Sequence, residues 1–332
     1  MSAGLAFDVL LCLLIIGAAG LAVGGRQLFA SIAFFVTYGI LVGISWLRLG
    51  AIDVALAEVA IGAGLTGVLL MGAWAAIRRR NREARGEYGA EGNGSGASRD
   101  DEEDPVVPGG RKLAAAVVCG VLAGLLAAAI LTLPGEASGL LPRVTERLGD
   151  SGVGNPVTAV LLNFRAYDTL MESIVLLMAL IAVWTLTPRE LWGGEPGLRQ
   201  HARGDGVLAT FGKLLPPLGV LVAMYLVWAG ADRPGGAFQG GTVLAAVWLM
   251  VVMAGMARVP RQSSPALRLA LVAGPAVFLG VGLAGAGFGV FLGLPVEFAK
   301  TLILAIELAL TLSIAVTLAL LVAGVPTARE RP

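Results

Sequence analysis

Long apolar segments limit how this chain can fold more than any other feature. A helix needs about 20 apolar residues to cross the ~30 Å hydrocarbon layer, where every backbone polar group must be hydrogen-bonded internally. Only 14% of the 332 residues are charged, against about 25% in soluble domains. The sequence therefore predicts an all-α, polytopic integral membrane protein. About nine transmembrane helices are expected, near residues 5–24, 27–47, 52–77, 113–133, 168–187, 211–230, 240–257, 268–289 and 297–323.

Charged loops divide the chain and orient it. Residues 78–112 are rich in charge, glycine and serine, which predicts a flexible cytoplasmic linker after the first three spans. Arginine and lysine are more frequent in one alternating set of loops than in the other. Because basic loops stay in the cytoplasm, this bias places the N-terminus outside and the C-terminus in the cytoplasm of a cell membrane.

Composition argues against several classes of site. The chain has one histidine and two cysteines, and Cys12 and Cys119 both lie in apolar segments. We therefore expect no metal centre built on histidine and cysteine, no haem and no iron–sulfur cluster, and we predict no cofactor. The net charge of +1 gives no overall field that would favour nucleic acid as a partner.

The stretch AIDVALAEVAIGAGLTG places two carboxylates, Asp53 and Glu58, inside the third apolar segment. An ionisable side chain at mid-membrane costs about 2.5–3.5 kcal/mol on insertion scales and is a functional candidate by default. Five residues apart, the two point about 140° from each other on a regular helix. A π-bulge between them would bring both nearer one face, and Gly62 and Gly64 would tolerate it. Asp53 also fits an interfacial helix charge stabilised by the helix dipole, so Glu58 is the better candidate for ion transfer.

Two further segments combine charges with apolar residues. In NFRAYDTLMES, helical spacing predicts that Arg165, Asp168 and Glu172 share one face. They form either a proton relay or an ion-paired helix start. In the last span, Lys300 and Glu307 also fall on one predicted face, with Glu307 about 15 Å along the helix. Glu307 is predicted to take part in ion transfer, and the alternative is a neutral glutamic acid hydrogen-bonded to a neighbouring helix.

The loop DRPGGAFQGGTV contains two glycines at the spacing of a phosphate-binding loop. Gly241 stands where such a loop needs lysine, and the loop joins two apolar segments, so phosphate binding is excluded. Glycine freedom instead predicts a tight turn at the membrane edge that brings backbone close to a partner. The residues of this motif are Pro234, Gly235, Gly236, Phe238, Gln239, Gly240 and Gly241.

Three stretches resemble subunits of Mrp-type (Mnh) cation/proton antiporters and membrane-bound hydrogenases. LGAIDVALAEVAIGAGLTGVLL resembles the MbhD domain, and RPGGAFQGGTVLAAV resembles the signature of the MnhB/MrpB subunit. NPVTAVLLNFRAYDTLMESIVLLMALIAVW is similar to the MbhE type, with Asn163 where that family has an aspartate. The resemblance implies a fusion of a three-helix MbhD-like module (1–77), a two-helix MbhE-like module (113–190) and a four-helix MnhB-like module (191–332).

The resemblance also implies a function. The chain would be an accessory subunit of a Mrp-type, complex I-related Na⁺(cation)/H⁺ antiporter, and not itself an enzyme. Its partners would be large antiporter-like subunits, the lipid bilayer, H⁺ and Na⁺. Asp53, Glu58, Asp168 and Glu172 match family positions in a lateral proton or sodium pathway, and Glu307 matches an acidic residue of the last helix. A structural scaffold, or the membrane arm of a related hydrogenase or other redox-driven ion pump, remains an alternative.

Overall fold

The computed structural model describes residues 3–25, 27–84, 109–133, 139–197, 206–287 and 289–326. Most of the predicted linker lies outside these residues. The first half of the described chain contains α1 (Ala3–Gly24), α2 (Leu28–Arg48), α3 (Ile52–Ala57), α4 (Thr66–Ala84) and α5 (Gly109–Leu131). A π-helical segment, Glu58–Leu65, joins α3 to α4, so that the three form one continuous helix.

The second half begins with two short helices, α6 (Leu141–Glu146) and α7 (Pro156–Ala159), and a second π-helical segment, Val160–Phe164. The longer helices that follow are α8 (Ala166–Thr185), α9 (Val207–Ala229), α10 (Ala237–Met253), α11 (Pro265–Gly287) and α12 (Val296–Ala323). No β-strand forms among the described residues, where pairing is limited to a single bridge between Pro196 and Pro326.

The prediction of an all-α polytopic membrane protein is confirmed. Eight helices in the described chain are long and apolar enough to cross a membrane. The remaining predicted span, near residues 240–257, corresponds to α10, a shorter apolar helix of 17 residues. It is short because Gly235 and Gly236 start it abruptly, and Gly255 follows its end, all three with positive φ, a conformation that glycine adopts readily. The orientation of the termini stays a prediction.

Helix α12 forms the centre of the bundle. Its apolar segment is 67% buried, while none of the other candidate spans in the described chain exceeds 33%. Ile303, Ile306, Leu310 and Ile314 on this helix are almost fully buried, against neighbours from α8, α9, α10 and α11. A helix that is apolar all round suits such a position, because it has no polar face to present to water.

Small residues allow the helices to approach closely. A Cβ added at Gly274 of α11 would lie 2.9 Å from Leu310 Cα on α12, and one added at Gly39 of α2 would lie 2.9 Å from Ala63 Cβ in the first π segment. Close backbone approach of this kind is how membrane helices gain packing energy. Helix α5 differs, because all of its residues whose side chains are described are exposed.

We expect Gly274→Ala to lower the midpoint of thermal unfolding in detergent. The added methyl group would meet backbone and Cβ atoms of α12 at 2.9 Å, and overpacking typically costs about 1–3 kcal/mol. Gly280→Ala on the same helix is the matched control, since its Cβ would meet nothing within 4 Å. Equal midpoints for the two variants would contradict the packing of α11 on α12.

Candidate functional site

A cavity of about 290 Å³ lies between α3, α7, α8, α10 and α12. Three carboxylates line it: Asp53 from α3, Glu172 from α8 and Glu307 from α12. Apolar side chains form most of the remaining wall. Three of the seven predicted ion-pathway residues therefore converge on one space, although up to 254 positions separate them in sequence (307 − 53).

Glu307 is the most deeply buried of these carboxylates, with only 3% of the residue exposed. The backbone N–H at Ala237, the first residue of α10, donates to its carboxyl group. Its Oε2 atom is buried and has no hydrogen-bond partner among the described residues. An unsatisfied carboxyl oxygen in an apolar bundle is costly, so this oxygen is the atom of the site with the greatest need for a proton or a donor.

Asp53 is also buried, with 9% exposed. Its Oδ1 accepts a hydrogen bond of 2.9 Å from the backbone N–H of Gly235, and its carbonyl oxygen accepts one of 3.4 Å from Gln239 Nε2. The position in the first turn of α3 agrees with the predicted helix-dipole charge. The turn before α10 provides a second stabilising partner, which sequence position alone did not indicate.

The glycine turn before α10 brings backbone donors to two of the acids. Gly235 and Gly236 have φ values of 154° and 134°, a region that side chains disfavour. A Cβ at Gly235 would overlap the carbonyl oxygen of Leu226, and one at Gly236 would lie 3.0 Å from Glu307 Oε1. The partner that this turn approaches is therefore the chain's own pair of carboxylates. The positive end of the α10 dipole also favours negative charge there.

The rest of the glycine motif packs around the same turn. Phe238 and Gln239 line the cavity. A Cβ at Gly240 would lie 2.6 Å from Val227 Cγ2 on α9, and one at Gly241 would lie 2.8 Å from Ile314 Cγ2 on α12. These two glycines therefore let α10 fit between α9 and α12.

The π-helical distortion occurs, but not where the sequence pattern predicted it. It begins at Glu58 and ends at Leu65, whereas the expected place was between Asp53 and Glu58. Gly62 and Gly64 lie inside this segment. A Cβ at Gly62 would lie 2.5 Å from Glu58 Oε1, so glycine at this position leaves room for the Glu58 carboxyl group. Glu58 itself is half-buried and is not among the residues that line the cavity.

The predicted ion-paired helix start occurs at the beginning of α8. Arg165 and Asp168 form an ion pair at 2.5 Å whose side chains are 67% and 50% exposed, while Glu172 lines the cavity. Arg165 precedes α8 with non-helical φ and ψ of −130° and 35°, so regular helical spacing does not apply to it.

Lys300 and Glu307 lie seven residues apart in α12, so they share a helix face as predicted, but only one of them is buried. Lys300 pairs with Asp232 at 2.5 Å at the exposed end of α12, whereas Glu307 is buried. The lysine finds its partner in the α9–α10 connection and does not neutralise Glu307.

Sequence reasoning missed the residues that hold this connection in place. Asn155 Nδ2 donates to the carbonyl oxygens of Gly230 and Arg233 at 3.2 and 3.0 Å, and Thr158 Oγ1 donates to the same Gly230 oxygen at 2.5 Å. The Asn–Pro dipeptide at 155–156 is a recognisable helix start, with Asn155 as N-cap and proline at the first position, where its missing N–H costs nothing. That signal predicts a helix start, but it does not reveal the partner in the α9–α10 connection.

Comparison with known proteins identifies two domains. Residues 13–79 match the MbhD family, which is described as a subunit of MBH, and residues 207–328 match the domain related to the MnhB subunit of Na⁺/H⁺ antiporter. The resemblances seen in the first and last thirds of the sequence are thereby confirmed. Assignment of residues 113–190 to an MbhE-like module stays a prediction.

An uncharacterized protein of Methanocaldococcus jannaschii is 32% identical over 116 residues, which is 31% of this chain and 44% of that protein. The fold is similar to a chain in the structure of the Mrp complex from Dietzia sp. DQ12-45-1b, with a TM-score of 0.70 and 23% identity over 97% of this chain and 35% of that chain. A chain of the membrane-bound sulfane sulfur reductase, an archaeal respiratory membrane complex, gives a TM-score of 0.53 and 22% identity over 64% of this chain and 98% of that chain.

These comparisons cover only part of some of the matched proteins. The chain spans less than half of the curated relative and about a third of the matched Mrp chain. At 22–23% identity the two solved structures show a shared fold.

We expect Gly236→Ala to destabilise the protein more than Gly289→Ala. Both glycines have positive φ, but only at Gly236 would the new Cβ meet Glu307 Oε1. Strain at positive φ costs about 1–3 kcal/mol in either variant, so the difference between their unfolding midpoints measures the approach to Glu307. Adding Glu307→Ala to Gly236→Ala should recover part of that difference. No recovery would contradict the close approach of turn and carboxyl.

Proposed function

Because residues 13–79 form an MbhD domain and residues 207–328 form a domain related to MnhB, we propose that the chain is an accessory subunit of a Mrp-type cation/proton antiporter or a related membrane complex. Its partners in that complex are other membrane subunits, including large antiporter-like ones. The chain contributes intramembrane carboxylates to the ion pathway between them. It is a transporter subunit and not a catalytic one.

The observation that carries this proposal is the convergence of Asp53, Glu172 and Glu307 on one cavity. Asp53 and Glu307 are buried, whereas Glu172 is exposed. Buried carboxylates inside membrane proteins mark ion and proton pathways because their cost is otherwise hard to explain. The three acids come from helices near the start, middle and end of the chain. A cavity of about 290 Å³ has room for several water molecules, which would link the carboxyl groups into a relay.

Each acid has a distinct role in this relay. Glu307, whose Oε2 has no hydrogen-bond partner among the described residues, is the main carboxyl group of the relay and takes up and releases the ion. Asp53 and Glu172 are the neighbouring carboxyl groups of the relay. The N–H groups of Gly235 and Ala237 donate to Asp53 and Glu307 and so help to hold the two carboxyl groups in place. Glu58, which lies on the π-helical segment, is proposed as a further carboxyl group of the ion pathway.

A scaffold role is the second candidate, and one contact favours it. The hydrogen bond from Gly235 N–H to Asp53 Oδ1 joins the MbhD domain to the MnhB-related domain directly. In that view the carboxylate holds two domains together and carries no ion.

A third possibility, a subunit of a redox-driven complex, is favoured by the fold likeness that extends over 98% of a sulfane sulfur reductase chain. The proteins that copurify with the tagged chain distinguish this case. Antiporter subunits alone support the antiporter proposal, whereas a soluble catalytic module bound to the complex would replace it.

We expect Glu307→Gln to abolish most cation/proton exchange in the reconstituted complex. Removing a group that transfers protons commonly costs about 100-fold or more in rate, while glutamine keeps the shape of the side chain. Glu297→Gln is the matched control, because it alters an exposed glutamate on the same helix. Unchanged exchange per assembled complex in Glu307→Gln would overturn the proposal.

We expect Asp53→Asn to separate the pathway role from the scaffold role. Asparagine Oδ1 still accepts the Gly235 hydrogen bond, so assembly should be preserved while exchange falls. Assembly is measured by copurification of the other subunits, and exchange is measured per assembled complex. Full exchange in a variant that assembles poorly would instead support the scaffold.

Glu58→Gln, measured in the same way, tests whether the Glu58 carboxyl on the π-helical segment belongs to the ion pathway.

A further inference from the structure

The side chains that line the cavity are more apolar than ion transfer alone requires. Its wall is formed mainly by apolar side chains, among them Ile61, Leu162 and Leu310, and no basic residue lines it among those described. Bare apolar walls cannot replace the water shell of an inorganic cation. The wall instead suits an apolar body that occupies the space beside the three carboxylates.

Three of the four exposed residues that line the cavity are apolar, and the fourth is Glu172. The three apolar residues are Val54, Val157 and Leu161, which are 41%, 39% and 43% exposed. Exposed apolar residues on a membrane bundle face lipid. A ligand would therefore enter from the bilayer, which selects molecules that partition into membranes.

The inner end of the cavity requires a hydrogen-bond donor. Glu307 is 97% buried by residue area (100 − 3), and its Oε2 has no partner in the described part of the chain. Asp53 and Glu172 add negative charge to the same space. Anionic ligands are repelled by this arrangement, and a positively charged donor satisfies the free oxygen with a charge-assisted hydrogen bond.

From these features we propose that the cavity is a binding site for an amphipathic organic cation, specifically a primary ammonium group on an unbranched alkyl chain. The ammonium group binds the Glu307 carboxyl, and the alkyl chain lies along the apolar wall towards Val54 and Leu161. Such a ligand would obstruct the relay proposed above, but its binding does not depend on that relay.

The test uses the full-length protein in lipid nanodiscs and an octylammonium probe that carries an aliphatic diazirine. Illumination attaches the probe to neighbouring residues, and mass spectrometry of the peptides identifies them. We expect labelling of the segments that line the cavity, including residues 54–61 and 157–162. Unlabelled octylamine should displace the probe at concentrations at least about tenfold lower than 1-octanol, since a hydrogen bond between charged groups contributes about that factor.

Two variants locate the ammonium group. Glu307→Gln should reduce labelling of the cavity about tenfold or more, and Glu297→Gln should leave it unchanged. If Glu307→Gln does not fold, the comparison of octylamine with octanol on the unaltered protein decides alone. Equal displacement by octanol, or labelling that spreads over lipid-facing helices without displacement, would overturn the proposal. Because no transport is measured, loss of this site and failure of the proposed function are separate outcomes.

Discussion

The close approach of the glycine turn at residues 234–236 to Glu307 is the interaction on which the site depends. Glu307 lies almost fully buried in α12, the most enclosed of the apolar spans in the described chain. A carboxylate there needs donors, and two adjacent glycines let the backbone of the α9–α10 connection supply them. The same turn donates to Asp53, so one short loop stabilises acids from both ends of the chain. Any side chain at Gly236 would occupy the space where this contact is made.

A second set of contacts holds that loop in position. Asn155 and Thr158, at the start of α7, donate to carbonyl oxygens of the loop, and Asp232 pairs with Lys300 at the start of α12. The middle of the chain is thereby attached to the last domain at one end of the bundle, where Gly235 also donates to Asp53 of the first domain. The cavity forms where the three meet, which explains why none of the modules contains it alone.

The sequence was sufficient for the fold class and for the identity of the costly carboxylates, but not for their grouping. Apolar segment length predicts the helices, because lipid permits few other structures. Glu307 was recognisable as an unusual buried acid for the same reason. Helical spacing did not give the positions of the two cations: Arg165 lies just outside α8, and Lys300 pairs with Asp232 in the α9–α10 connection. Glu172 and Asp53 meet Glu307 only through packing between distant helices, and no local pattern encodes such packing.

We propose that the site works because Glu307 exchanges a proton in the cavity that it shares with Asp53 and Glu172. Infrared difference spectroscopy of the reconstituted complex, recorded between imposed sodium and pH gradients, measures this most directly. We expect a carboxyl C=O band that changes with the gradient, disappears in Glu307→Gln and persists in Glu297→Gln. A difference spectrum that is identical in the unaltered complex and in Glu307→Gln would contradict it.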